Sequence, residues 1–153
     1  MEHKWWTLAA VLGLACWFFG NLYEAVVFSP NWVVDTPAQM ARLDAFFVTT
    51  GPTLYFVPVT VLTCLVILIL WLIDRTAYRR AAVAALALTV LNAVIVAAVV
   101  TPLFGDGGDR TLAWTWNVLN VVRMALTATT AVLLFNTFRR LDQAAVQRQL
   151  GRM

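Results

Sequence analysis

The chain has 153 residues and a net charge of +3, and 61% of its residues are hydrophobic while only 12% are charged. Soluble domains carry about 25% charged residues, so the composition excludes an ordinary water-soluble domain and predicts one membrane-embedded domain over residues 1–153. The basic residues lie at the ends of apolar segments, which argues against nucleic acid as a partner and favours the lipid bilayer.

Four apolar segments are each long enough to cross the hydrocarbon core as a helix, which takes about 20 residues. They cover approximately residues 5–28, 52–73, 81–104 and 112–138. The first follows Lys4 but has too long an apolar run for a signal peptide and no Ala-x-Ala cleavage site, so we expect a retained helix. Barrel strands would be about 10 residues long and would alternate. The sequence therefore predicts an all-α integral membrane protein, a bundle of four transmembrane helices.

The loop after the first span has the pattern of a short helix. We expect Pro30 to end the first span, and Thr36, Pro37 and Gln39 to form a helix start with a capping box. Residues 37–50 then mix apolar and charged side chains, which suits a helix lying at the membrane interface. Such a helix would roof a cavity between the spans. In the second span, Pro58 predicts a kink, which we interpret as a packing feature rather than a hinge.

The distribution of Lys and Arg predicts the orientation, because these residues concentrate on the cytoplasmic side. The N-terminus, the loop between spans two and three and the C-terminal tail hold most of them: Lys4, Arg75, Arg79, Arg80, Arg139, Arg140, Arg148 and Arg152. The other two loops hold only Arg42 and Arg110, together with Asp35, Asp44, Asp106 and Asp109. We therefore expect both termini in the cytoplasm and the protein in the cytoplasmic (inner) membrane.

Two ionisable residues lie inside predicted spans, Glu24 in the first and Arg123 in the fourth, and such residues are functional candidates by default. Each lies in a row at helical spacing: Trp17, Asn21 and Glu24 in one helix, and Trp116, Asn120 and Arg123 in the other, where Thr127 and Thr130 continue the row. At about 1.5 Å of rise per residue, both rows fall in the outer half of the bilayer. We expect the two charges to face each other, directly or through Asn side chains and water.

These rows predict a ligand or reaction site with Glu24 and Arg123 as catalytic residues. The expected substrate-binding residues are Asn21, Asn117, Asn120, Trp17, Trp116, Tyr23 and Tyr55. A carboxylate, a guanidinium, amides and aromatic walls suit a flat, lipophilic, oxygen-bearing substrate. Glu24 would abstract a proton from an activated carbon or protonate an alkene, and neither reaction needs a cofactor.

Other chemistries find little support in the composition. His3 is the only histidine and lies far from the two rows, so we expect no metal and no haem. Cys16 and Cys64 do not form a Cys-x-x-Cys pair, and we interpret them as small buried packing residues. The sequence therefore predicts a site without a cofactor.

Two motifs are similar to those of a known family. The stretch Trp114-Thr-Trp-Asn-Val-Leu-Asn-Val-Val-Arg123-Met-Ala-Leu-Thr resembles the opening of the last helix in small bacterial anthrone-oxygenase-like membrane proteins, and Gly20-Asn-Leu-Tyr23-Glu24-Ala-Val-Val-Phe-Ser-Pro30 resembles their first-helix motif. The resemblance implies a cofactor-independent oxidoreductase that acts on aromatic, polyketide-like compounds. It further implies that Trp116, Asn120 and Arg123 bind or activate the substrate.

A non-catalytic reading stays open beside the enzyme that we favour. The chain would then be a binding, transport or scaffold subunit in which Glu24 and Arg123 form a structural pair, since polar contacts between membrane helices are common. A transporter would more often show repeated broken helices. In either case the Ala-rich face of the third span is the expected contact with a second copy of the chain.

Overall fold

In a computed structural model, residues 3–105 and 108–151 are described, and they form five helices. The helices are α1 (His3–Trp32), α2 (Thr36–Phe46), α3 (Pro52–Ile73), α4 (Arg75–Phe104) and α5 (Arg110–Leu150). All except α2 are long and apolar enough to cross a membrane. The prediction of four membrane-spanning helices is confirmed in this form, and the bounds of α3 match the predicted span.

Aspartates at the helix starts set two of the boundaries. The Asp74 carboxylate accepts hydrogen bonds from the backbone N–H groups of Thr76 at 3.1 Å and Ala77 at 2.9 Å, and so caps α4. Asp109 caps α5 in the same way through the N–H of Leu112 at 2.8 Å. Since α4 begins directly after this cap, the predicted start of the third span at residue 81 was too late.

Prolines near the ends of α1 and α4 are accommodated by wider helical turns. The prediction that α1 ends at Pro30 is wrong, because a π-helical segment, Glu24–Phe28, precedes the proline and the helix continues to Trp32. The α4 helix has the same arrangement, with the π-helical segment Val96–Val100 ahead of Pro102. A proline ring clashes with the carbonyl four residues earlier, and a wider turn relieves that clash.

The short helix α2 exists, but its start differs from the predicted capping box. Thr36 lies in the first turn of the helix rather than at the cap, and its hydroxyl donates to the Trp32 carbonyl at 2.6 Å. The cap position is Asp35, and no side chain bonds to the free N–H groups there. With the Thr36 hydroxyl engaged by the preceding helix, Gln39 has no partner for a capping box. The helix ends at Phe46, before the predicted limit at residue 50.

The four long helices form a ring in which α1 packs on α3 and α5, and α4 also packs on α3 and α5. Two contacts show which helix ends lie together. The Thr7 and Tyr78 hydroxyls are 2.7 Å apart, and Lys4 Nζ lies 2.7 Å from the Asp142 carboxylate. The start of α1, the start of α4 and the last third of α5 therefore share one end. We call it the basic end; it holds Lys4, Arg75, Arg79, Arg80, Arg139, Arg140 and Arg148. Of the loop and tail charges, Asp106 and Arg152 lie outside the described residues.

The two predicted rows lie on the inner faces of their helices. On α5 the buried residues are Ala113, Trp116, Asn120, Arg123, Thr127, Thr130, Leu134 and Thr137, which confirms the predicted face. On α1 Trp17 and Asn21 are buried, while Glu24 is half-buried where the π-helical segment begins. Buried threonines such as Thr127 and Thr130 donate to the carbonyl four residues earlier, so their hydroxyls are satisfied within the helix.

The outward faces of the long helices are apolar, as lipid contact requires. Large side chains are exposed along the whole length of α3 and α4, for example Leu62, Ile69, Leu72, Val83, Leu86, Val90 and Val94. Water would penalise such a surface, whereas hydrocarbon does not. The chain is therefore a multi-pass membrane protein.

Close approach of α1 to α3 depends on Gly13, whose Cβ position is filled by the side chain of Thr63. We predict that Gly13→Ala lowers the free energy of unfolding in detergent by about 1–3 kcal/mol, since an added methyl forces the two helices apart. Thr63→Ala in the same chain should restore part of that loss, which a double-mutant cycle measures. Leu12→Ala, on the lipid-facing side, is the control. Equal losses for Gly13→Ala with and without Thr63→Ala would contradict the contact.

Candidate functional site

A cavity of about 440 Å³ lies between the four long helices at the end opposite the basic end, below α2. Leu43 and Asp44 of α2, and Phe47 directly after it, line the cavity on that side. Its walls are largely aromatic: Trp17, Phe28, Trp32, Phe56, Phe104 and Trp116. Its polar lining is Asn21, Glu24, Asp44, Thr53, Thr60, Asn92, Thr101 and Arg123. Both π-helical segments contribute to the wall, through Glu24 and Phe28 of α1 and Val96 and Val100 of α4.

Arg123 is held rigidly by two asparagines. Its Nε and Nη2 donate to Asn120 Oδ1 at 3.1 and 2.7 Å, and its Nη1 donates to Asn92 Oδ1 at 3.0 Å. The guanidinium also lies over the Trp116 ring, 5.9 Å from the ring centroid. Arg123 is only 6% exposed. The side chain is therefore fixed in the cavity wall by neutral groups of α4 and α5.

The same hydrogen-bond chain reaches α1. Asn120 Nδ2 donates to the Asn21 backbone carbonyl at 3.2 Å, and Asn21 Nδ2 donates to the Trp17 carbonyl at 2.8 Å. Asn120 and Asn21 are fully buried. Asn120 thus does not line the cavity itself but holds Arg123 from behind.

Glu24 lies in the cavity wall without touching Arg123. The one ion pair with an N···O distance within 4.0 Å among residues 3–105 and 108–151 is that of Lys4 with Asp142, at the opposite end. Of the two expected arrangements, direct or through Asn side chains and water, the direct Glu24–Arg123 pair is not formed. Because Arg123 is occupied by Asn92 and Asn120, the two charges instead face one cavity from separate helices, with space between them.

Two buried polar atoms of cavity residues have no hydrogen-bond partner among the described residues. They are Asn21 Oδ1, an acceptor, and Trp32 Nε1, a donor. Buried polar groups are nearly always paired, and an exception calls for an explanation. Trp32 also packs edge-on against Trp116, with ring centroids 4.7 Å apart.

Besides Asn120, three residues expected to bind substrate do not line the cavity. Tyr23 is 57% exposed on the lipid side, and Tyr55 donates its hydroxyl to the Cys16 carbonyl at 2.9 Å, joining α3 to α1. Asn117 is half-buried beside the row and does not line the cavity. Trp17, Asn21, Glu24, Trp116 and Arg123 do come together around the cavity.

Asn92 is the principal residue that sequence reasoning missed. It is the one asparagine of the third predicted span, residues 81–104, and a polar residue inside a span is a signal in itself. Trp32 and Asp44 also line the cavity, but their roles depend on the continuation of α1 and on the placement of α2.

The cysteines play no part in this cavity. Cys16 is exposed, which corrects the expectation that it is buried, and it is not paired with Cys64. Cys64 Sγ lies 3.4 Å from Thr89 Oγ1, between α3 and α4.

No family model matches the chain, and no curated protein or solved structure is significantly similar to it. The resemblance to anthrone-oxygenase-like proteins thus rests on the two sequence motifs alone. Function has to be argued from the cavity.

The hydrogen bonds predict an unequal dependence of stability on the two charged residues. Arg123→Met should lower the free energy of unfolding by about 1–3 kcal/mol, because Asn92 and Asn120 lose their donors inside the bundle. Glu24→Gln, which removes no hydrogen bond and keeps the shape, should cost less than about 0.5 kcal/mol. Thermal and denaturant unfolding in detergent measure both. Equal losses would mean that the two charges stabilise each other as a pair.

Proposed function

We propose that the cavity is the active site of a membrane enzyme that binds a flat, lipophilic, oxygen-bearing small molecule and removes a proton from it. One observation carries the proposal. The buried Arg123 guanidinium lines the cavity while bonded only to neutral amide oxygens among the described residues. Its positive charge is therefore available to an oxygen of a bound molecule.

The electrostatics favour a ligand that is or becomes anionic. A cation inside a membrane is costly unless it is paired. Arg has five N–H donors, and three of those of Arg123 are engaged by Asn92 and Asn120. The remaining two suit an oxygen on which negative charge develops, and fixed donors of this kind stabilise such charge strongly in a low-dielectric site.

Glu24 is the proposed base. Glu24 lines the same cavity as Arg123 but forms no ion pair with it. In this proposal the ligand lies between the carboxylate and the guanidinium. Its carboxylate would accept a proton from a carbon conjugated to a ring carbonyl. The C–H electron pair would move into the ring, and the resulting enolate oxygen would accept hydrogen bonds from Arg123. The aromatic walls, Trp17, Trp32 and Trp116 among them, would stack on the ring.

The resemblance supports dioxygen as the next reactant. The enolate carbon would react with O₂, one oxygen atom would become a new carbonyl, and the other would leave as water. This converts a CH₂ group into C=O, a four-electron oxidation that one O₂ balances without a cofactor. Substrates of this kind are aromatic, polyketide-like ketones.

Anthrone, a tricyclic aromatic ketone with an acidic CH₂, is a suitable probe. We predict that the purified protein accelerates deuterium exchange at this CH₂ under anaerobic conditions and O₂ uptake in air. Glu24→Gln should slow exchange at least about 100-fold, because proton transfer by a positioned base contributes at least that factor. Arg123→Gln should slow it as well, by loss of enolate stabilisation.

Asn117→Ala is the matched control, since Asn117 is on the same helix but outside the cavity. Deuterium exchange without O₂ uptake would support the proposed proton abstraction and contradict the proposed oxygenase step. Binding of anthrone without deuterium exchange would contradict the enzyme and favour a binding, transport or scaffold protein. If anthrone fails to bind, this substrate class is wrong.

We further propose that the basic end faces the cytoplasm of a bacterial inner membrane, with both termini inside and α2 at the outer interface. Lys and Arg favour the cytoplasmic side, and the shared position of Lys4, Arg75 and Arg139 at one end supports this orientation. The cavity would then open towards the outer leaflet.

Cysteine labelling tests the orientation. In a Cys16→Ala, Cys64→Ala background, Thr49→Cys lies between α2 and α3, and Gly151→Cys follows α5. We predict that a membrane-impermeant maleimide labels Thr49→Cys in intact cells and Gly151→Cys only after lysis. The reverse pattern would overturn the proposed topology.

A further inference from the structure

A second, larger concavity of about 880 Å³ runs between α3 and α4 and faces the lipid side. Its walls are apolar over most of their length: Val61, Leu65, Ile67, Leu68, Ala82, Val83, Ala85, Leu86 and Ala93. We call it the α3–α4 groove. Exposed members such as Leu65, Leu68, Val83 and Leu86 show that it opens at the surface rather than into the bundle.

The groove exists because small side chains face α3 from α4. Ala82, Ala85 and Ala93 leave more space than the large residues that fill the other helix contacts. Cys64 of α3 and Thr89 of α4 also line it, with their Sγ and Oγ1 atoms 3.4 Å apart. A linear apolar chain fits this shape, whereas a helix needs a separation of about 8–10 Å between axes.

One end of the groove is positively charged. Arg75 and Arg79 line it one turn apart on α4, at the basic end. The Arg75 guanidinium lies 5.5 Å from the centroid of the Trp71 ring, which lines the same end. The neighbouring Asp74 carboxylate is used as the α4 cap, and the single ion pair of the described residues is elsewhere. The two arginines thus present charge without a carboxylate partner.

The other end of the groove reaches the cavity. Trp17, Thr60 and Asn92 line both. From Arg75 to Asn92 the helix rises about 26 Å, which is most of the roughly 30 Å hydrocarbon core. An acyl chain held at the basic end spans its own leaflet, about half of that core, and therefore lies in the part of the groove nearest the arginines.

We propose that the α3–α4 groove is a binding site for one anionic phospholipid from the leaflet at the basic end. Arg75 and Arg79 bind the head group, one acyl chain fills the part of the groove nearest to them, and Trp71 lies at the head-group level. Charge complementarity favours a phospholipid, because guanidinium groups match phosphate oxygens in geometry and charge. A second copy of this chain would have to bury two arginines against its own basic end. The proposal does not depend on the proposed function.

Quenching of tryptophan fluorescence by brominated acyl chains tests the site on the full chain in nanodiscs or detergent. We expect brominated phosphatidylglycerol to quench at about 30-fold lower mole fraction than brominated phosphatidylcholine, as about 1 kcal/mol for each of the two arginines implies. Trp71→Phe should remove the difference between the two lipids, whereas the exposed Trp5 and Trp6 are quenched by both. Arg75→Gln with Arg79→Gln should abolish the preference, and Arg75→Lys with Arg79→Lys should keep most of it.

Arg139→Gln with Arg140→Gln is the matched control, because it removes the same charge from the basic end outside the groove. If this control abolishes the preference equally, the effect is general surface charge and the site is overturned. Equal quenching by both lipids in the wild type would mean that the groove takes any neutral chain, and would also overturn it. Loss of the Trp71 quenching together with dimer formation on gel filtration would assign the groove to a second copy.

Discussion

A guanidinium inside a membrane bundle must find its hydrogen-bond partners within the protein, because lipid offers none. Arg123 meets this requirement with Asn92 of α4 and Asn120 of its own helix, and Asn120 in turn bonds to the backbone of α1 at Asn21. One network therefore joins three of the four long helices. Contacts between polar groups in membranes average only about 0.6 kcal/mol each, but a network fixes the rotation of each helix. Trp17 and Trp116, one turn away, consequently face the same cavity.

The prolines shape the space that this network borders. The π-helical segments ahead of Pro30 and Pro102 lie on α1 and α4 at the level of the cavity. Each inserts an extra residue per turn, which shifts the side chains beyond it around the helix. Glu24 begins one such segment and so stands half-buried in the cavity wall rather than in line with the buried row. Single π-helical turns are often found at functional sites, and here one of them carries the candidate base.

Much of the fold follows from the sequence by two simple rules. Hydropathy located all four spans, since a helix in lipid needs a long apolar run, and the 3.6-residue period placed the buried face of α5 from Trp116 to Thr130. The rules fail where local chemistry competes. Periodicity assumes a regular helix, so it did not predict the π-helical turn at Glu24 or the continuation of α1 to Trp32. The prediction of a Thr36 cap was wrong because α1 continues to Trp32. The Thr36 hydroxyl donates to the Trp32 carbonyl instead of capping α2.

The candidate site was predictable only within single helices. Periodicity says which residues share a face, but not which neighbour a side chain meets. Opposite charge therefore led us to pair Glu24 with Arg123. In the structure Arg123 donates instead to Asn92, a residue that belongs to neither predicted row.

Asn92 lies between the cavity and the α3–α4 groove and lines both. It holds Arg123 on the cavity side and lines the α3–α4 groove on the other. A lipophilic molecule dissolves in the bilayer before it meets the protein, so it approaches the site from the lipid rather than from water. For the substrate proposed above, the α3–α4 groove would be an apolar approach from the bilayer, because Thr60 and Asn92 line both the groove and the cavity. A chain bound in the groove would occupy part of that approach, and its occupancy would then compete with passage along it.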